Sequence, residues 1–300
     1  MRVNPNMVPD ILADMQQSQS TLNTALQQVS TGKSVTVPSD NPMASAQMVG
    51  NTMESGNVDQ YTQNISGVLS TVQAADSALS SVVSSLTSAI SLGTQGANGT
   101  SNASNQQAIA QQVQGILKSV VSQANTAFNG VYLFGGTASS NPPYTADSTS
   151  STGYAYNGNN NSNSVEVGDN LSVQVNLPGS QIFSNSSASV IGSLSSLVTA
   201  LQSGSTSAIS SAVNDVSSAL NFVGQQRVFY ANAESQLNSQ ETNLQQETVT
   251  LTSQQNSLVG VNMAQAATVL SQAETNNSAV LAAAAKVLPN TLLNYLSTPS

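Results

Sequence analysis

The stretch LNSQETNLQQETVTLTSQQNSL, residues 237–258, sets Leu237, Leu244, Leu251 and Leu258 seven residues apart, and Val249 is the only other aliphatic side chain within it. A seven-residue repeat keeps one face of an α-helix turned toward a partner helix. A full seam has two apolar positions per heptad, whereas one of the two is polar here. Upstream the seam is complete, through Ile209, Val213, Val216, Leu220 and Val223. From Arg227 it continues as Tyr230, Glu234, Leu237, Glu241, Leu244, Thr248, Leu251, Gln255, Leu258 and Asn262. The spacing predicts one helix of roughly seventy residues, ~100 Å long at ~1.5 Å per residue. Its first part can bury itself, and its second cannot complete a core alone.

The N-terminal stripe Ile11, Met15, Ser18, Leu22, Ala25 and Val29 is equally thin and is the natural partner within the chain. The half-polar seam is compatible with a marginal intramolecular coiled coil and fits contacts with other subunits better. Two fuller stripes predict long antiparallel helices. One runs Ile65, Val68, Val72, Ala75, Leu79, Val82, Leu86 and Ala89. The other runs Ile109, Val113, Ile116, Val120, Ala124, Ala127, Val131 and Phe134, after the loop GTQGANGTSNASN at 93–105. A short helix around Ile191, Leu194, Leu197 and Leu201 ends near Gly204.

Between Thr137 and Ser187 the helical period disappears. Val165, Val167, Leu171, Val173, Val175 and Leu177 alternate around a Gly-Asp-Asn turn, which predicts a small β meander facing outward. The fold class is therefore mainly α, a long antiparallel coiled coil and helical bundle built from both chain ends, with a small β-rich insertion. We assign 1–40 and 265–300 to terminal assembly segments, 41–136 and 189–264 to the bundle, and 137–188 to the insertion.

Composition narrows the function. Only 6% of the 300 residues are charged, and five basic against fourteen acidic side chains give a net charge of −9 with no basic cluster. Nucleic acid and anionic lipid are excluded as main partners, because little cation is present to neutralise phosphate. No apolar run is long enough to span a membrane. MRVNPNMVPDILADMQQ lacks the apolar h-region of a secretory signal peptide. Cysteine and histidine are both absent, so no disulfide, Ser-His dyad, Cys nucleophile or usual zinc site can form. The fourteen carboxylates are scattered over helices with no concave scaffold to pair them. We expect no enzyme activity, catalytic residue, cofactor or metal.

Two motifs have simpler explanations than ligand binding. STGKS at 30–34 resembles the tail of a phosphate-binding loop, but Gln27 stands where that loop needs Gly. Gly32 reads instead as a helix C-cap with Lys33 at the negative helix end. In PSDNP, Ser39 or Asp40 is expected to cap a helix whose first turn holds Pro42. In GVYLFGG at 130–136, Tyr132, Leu133 and Phe134 are expected to seal the end of the bundle.

With these segments in view, the chain resembles the flagellin superfamily, and within it the hook-filament junction proteins of the bacterial flagellum. LQQVSTGKSVTVPSDNPMASAQMV at 26–49 is similar to the family's helix, connector and second helix. NTAFNGVYLFGGT, DNLSVQVNLPGSQIF, QQRVFYANAESQL and LSQAETNNSAVLAAAAKVLPNTLLNYL extend the likeness over nearly the whole chain. Pro38 and Pro42 favour the junction branch over flagellin itself. One departure stands out: relatives usually carry acidic residues near the positions of Gly260 and Asn262.

The resemblance implies a structural adaptor exported by the flagellar type III route without a cleaved signal, and an extracellular place in the flagellum. Implied partners are identical subunits in a ring, the first hook-associated protein, flagellin, and a flagellar export chaperone. The expected assembly residues are Ile11, Met15, Leu22, Leu26, Val29, Leu237, Leu244, Leu251, Leu258, Val269, Leu270, Leu292, Leu293 and Leu296. The expected connector is Gly32, Lys33, Pro38, Ser39, Asp40 and Pro42. A minor flagellin is the alternative in the same class, and a surface adhesin housed in the insertion is the remote one.

Overall fold

In the computed structural model, residues 7–98, 102–185 and 188–296 are described, with side chains between 9 and 286. Helix α1 (Met7–Thr31) is followed by α2 (Pro42–Ala97) and α3 (Ala103–Ala124). Six short strands come next: β1 (Ala127–Phe128), β2 (Val131–Tyr132), β3 (Tyr144–Ala146), β4 (Tyr154–Tyr156), β5 (Ser164–Gly168) and β6 (Leu171–Gln174). The chain then forms α4 (Gly179–Ile182), α5 (Val190–Ser203), α6 (Thr206–Val259) and α7 (Met263–Leu296). The long helix expected from the leucine repeat is α6, but it has 54 residues rather than about seventy, because the chain leaves the helix after Val259 and starts α7 at Met263. The mainly helical class holds.

Two compact units result: Met1–Asn57 with Gln246–Ser300, and Val58–Gln245. Helices α2 and α6 are each divided between them. In the second unit Ile65, Val72, Leu79, Val82 and Leu86 of α2, Ile109, Val113 and Val120 of α3, and Ile191, Leu194 and Leu197 of α5 are all buried. Ile209, Val216, Val223, Tyr230 and Leu237 of α6 join them.

The polar half of the seam is partly matched inside this unit. Arg227 donates from Nε and Nη2 to the two carboxylate oxygens of Asp76, at 2.8 and 2.9 Å. Glu234 accepts from the Gln73 amide at 2.9 Å, so α2 and α6 run antiparallel here. Such an ion pair, a third exposed, contributes at most about 1 kcal/mol, and its main effect is to let an arginine occupy a seam position. Tyr230 is buried, and its hydroxyl oxygen accepts from the Leu177 N–H at 3.2 Å, which ties α6 to the insertion.

Three further expectations are corrected. Helix α2 does not stop before Gly93 but runs to Ala97, because Gly93 and Gly96 are sites of close packing. A Cβ on Gly93 would lie 2.5 Å from Val213, and one on Gly96 would collide with Leu201. The α3 stripe ends at Ala124: Ala127 and Val131 belong to the β1–β2 hairpin and are exposed, turned by Asn129 and Gly130 at φ 52° and 80°. The insertion holds more than the expected strands: β5–β6 pairs around the Gly-Asp-Asn turn, with Val165 facing Val173, and β3–β4 forms a second, separate antiparallel pair.

An aromatic cluster closes the end of the bundle, with two of the three residues expected. Leu133 and Phe134 are buried, Tyr132 is only half-buried, and Phe134, Tyr144, Tyr156 and Phe183 stack at 5.2–5.9 Å. Along the solvent faces many hydroxyls donate to the carbonyl four residues back, among them Thr52 to Met48, Ser66 to Thr62, Ser84 to Ser80 and Thr250 to Gln246.

Leu237 is fully buried and Leu258 only half-buried. Leu237→Ala is therefore expected to lower stability by about 2–4 kcal/mol, and Leu258→Ala by clearly less. Denaturant unfolding followed by circular dichroism checks this, and equal losses would contradict the assigned seam.

Candidate assembly site

The first unit is built around two thin helical stripes. On α1, Ala25 is buried and Ile11, Met15, Ser18, Leu22 and Val29 are half-buried. On α7, Ala266, Ala273 and Ala284 are buried, with Leu270, Asn277 and Val280 half-buried between them at the same spacing. The Ser18 hydroxyl lies 3.4 Å from Asn277 Oδ1, whereas Ser34 donates its N–H to the Val259 carbonyl at 2.7 Å, so the helices run antiparallel. Counting outward from Ser18 and Asn277 sets Leu22 level with Ala273, Ala25 with Leu270, and Val29 with Ala266. A bulky residue meets a small one at each step, which brings the helices close but buries little apolar area.

The connector fixes this register. Gly32 adopts φ +68°, the left-handed conformation that ends α1, and its N–H donates to Gln28 O. Its carbonyl accepts from the Val261 N–H at 3.0 Å, and Lys33 pairs with Gly260 in an isolated antiparallel bridge. A Cβ on Gly260 would strike the Asn256 carbonyl, so an acidic residue has no room there. Asn262 Oδ1 accepts from the Ala264 and Gln265 N–H groups at 3.1 and 3.3 Å. It therefore caps α7 in the way an aspartate would.

Asp40 and Ser39 do not cap α2. Asn41 does, accepting from the Ala44 N–H at 3.1 Å, with Pro42 in the first turn as expected. The Asp40 carboxylate instead accepts from the N–H groups of Val37 and Thr36 and from the Thr36 hydroxyl. The Val37 and then the Thr36 N–H hold it below the usual carboxylate range. Its support for the turn is complete above the ordinary aspartate value and fades as pH falls through the lower folded one. Pro38 lines a cleft of about 490 Å³ with Val35, Val37, Met48, Val49 and Val259, while Ser39 is exposed.

The structure separates the expected assembly residues into groups. Ile11, Met15, Leu22, Val29 and Leu270 lie in the α1–α7 seam, whereas Leu26 and Val269 are exposed. Leu237, Leu244 and Leu251 are buried, and Leu258 is half-buried. Leu292, Leu293 and Leu296 fall within α7, but their side chains lie outside the described residues.

Sequence reasoning missed most of the exposed apolar surface. Among the described residues thirteen large hydrophobic side chains are exposed. All but Val131, Leu171 and Val228 belong to the first unit. Beyond Leu26 and Val269 these are Leu12, Val37, Met43, Val49, Met53, Val249, Met263 and Leu281. Leu12 and Leu26 stand two heptads apart, one residue beyond the inner stripe, and that offset was the available signal. No group of three acidic side chains able to hold a metal occurs among the described residues, and no described helix is long and apolar enough to cross a membrane.

Residues 3–139 match the bacterial flagellin N-terminal helical region. The chain is 28% identical over 166 residues to flagellar hook-associated protein 3 of Salmonella typhimurium, covering 55% of this chain and 51% of that relative. The chain thus spans about half the length of the curated relative it matches. A putative flagellar hook-associated protein of Vibrio parahaemolyticus shares the fold with a TM-score of 0.68 at 19% identity, over 74% of this chain and all of that one. Bacillus cereus FlgL aligns with a TM-score of 0.60 at 24% identity, over 69% and 99% of the two chains.

Removing the Asn262 cap by Asn262→Ala is expected to weaken the start of α7 by about 1 kcal/mol, and Asn262→Asp to preserve it. Amide exchange over residues 263–270 reads the difference.

Proposed function

We propose that this chain is a structural component of the bacterial flagellum that joins a hook-associated protein to the flagellin filament, assembling as a ring through its terminal unit. The observation that carries this reading is the concentration of exposed apolar side chains on a unit whose own seam is made largely of alanine and half-buried residues. Exposed apolar patches of this kind mark association surfaces. Leu12, Leu26, Val269 and Leu281 are the contacts offered to neighbours. Ile11, Met15, Leu22, Val29 and Leu270 hold α1 to α7, and the buried Leu237, Leu244 and Leu251 hold α6 to its own chain. Leu258, Leu292, Leu293 and Leu296 belong to the same terminal interface.

The likeness to hook-associated protein 3 supports the junction over the filament as the site of action, as do Pro38 beside the connector cleft and Pro42 in the first turn of α2. Partners in this reading are identical subunits, the first hook-associated protein, flagellin and an export chaperone. Export follows the flagellar type III route without a cleaved signal, and the protein acts outside the cell, without catalysis.

Deleting residues 1–35 or 270–300 is expected to leave the second unit folded and to abolish incorporation into flagella. Immunogold labelling of detached flagella should give a single band between hook and filament. Label along the whole filament would make the chain a minor flagellin, and normal incorporation of the truncated protein would overturn the reading.

A further inference from the structure

All seven methionines, Met1, Met7, Met15, Met43, Met48, Met53 and Met263, fall in the first unit, and none occurs in the 58–245 unit. Cysteine, tryptophan and histidine are absent throughout, so thioethers are the most readily oxidised side chains the chain has. Their exposure is uneven. Met43 is 73% exposed, Met53 68% and Met263 51%, whereas Met15 and Met48 are half-buried. Met43 and Met53 share the outer face of α2 with Val49, itself 62% exposed. Ala46 and Gly50 also lie on that face by helical spacing, and Glu54, three turns from Met43, stands at its edge.

We infer that Met43, Met53 and Met263 are oxidation sites through which a hydroperoxide switches off the assembly surface of the unassembled subunit. The inference rests on the proposed assembly role of the terminal unit. In the step, a sulfur lone pair attacks one peroxide oxygen, an S–O bond forms and the O–O bond breaks. The departing hydroxide, or the alkoxide of an organic hydroperoxide, takes up the remaining proton and leaves as water or an alcohol, so sulfur is oxidised by two electrons and the peroxide is reduced. Each sulfoxide places a polar, strongly accepting oxygen where an exposed apolar side chain stood. Burying that oxygen against a neighbour without a donor is unfavourable, so association is lost while the methionine-free unit is untouched. Once neighbours cover the face, the same sulfurs are shielded.

The test treats purified full-length protein with graded hydrogen peroxide and maps sulfoxides by peptide mass spectrometry. Met43, Met53 and Met263 are expected to convert severalfold faster than Met48. Treated protein should lose most of its incorporation into flagella of a deletion strain, and a dithiol-dependent methionine sulfoxide reductase should restore it. In a chain carrying Met43→Leu, Met53→Leu and Met263→Leu, the ratio of treated to untreated incorporation should stay near one. Conversion of Met48 as fast as Met43, unchanged incorporation of the sulfoxide form, or equal loss in the triple variant would overturn the inference. If the terminal truncations abolish incorporation while the sulfoxide form incorporates normally, this inference fails and the assembly role stands. If the truncations incorporate normally, both fail.

Discussion

From Arg227 onward α6 has one apolar side chain per heptad, too little to hold that part of the helix against water, and this shortage governs how it is housed. Each leucine of the column contributes about 1.5–3 kcal/mol only where it is fully withdrawn from solvent. Leu237 and Leu244 achieve this inside the second unit and Leu251 inside the first. Just upstream of the column two polar seam positions are tolerated because they find partners: Asp76 takes Arg227, and Gln73 meets Glu234. The paired polar groups add register there, and the buried leucines supply the stability.

The same economy is carried further in the terminal unit. Alanine supplies the buried steps of α7, so α1 and α7 approach closely while gaining little burial. Their alignment relies on backbone bonds from Gly32 and Ser34 to Val261 and Val259. Directional bonds of this kind fix geometry well and stability modestly. A unit held in this way, with most of the exposed large side chains on its surface, is suited to being completed by neighbours.

Much of this was legible beforehand, and the failures share a cause. The heptad of α6 and the stripes of α1, α2 and α5 could be read because periodicity is local. Gly93 and Gly96 looked like a break because the packing of Leu197, Leu201 and Val213 that requires them is nonlocal. The Asn129-Gly130 turn was a legible hairpin signal. It was overridden by the accidental helical spacing of Ala127, Val131 and Phe134. Asn41 was passed over for Ser39 and Asp40 because all three residue types can cap, and only the path of the connector selects among them. For the assembly surface the inner stripe was visible, whereas Leu12, Leu281 and the outer face of α2 required knowing which sides α1, α2 and α7 already use.

The hydroxyls that line the long helices have a consequence of their own. A serine or threonine that has given its hydrogen to the carbonyl one turn back keeps only lone pairs for whatever lies outside. Faces built from Thr52, Ser66, Ser84 and Thr250 are thus electron-rich without being charged: they accept and do not give. Matching them calls for a lining of N–H groups, and the plentiful carboxamides of this chain provide that chemistry without any change in ionisation.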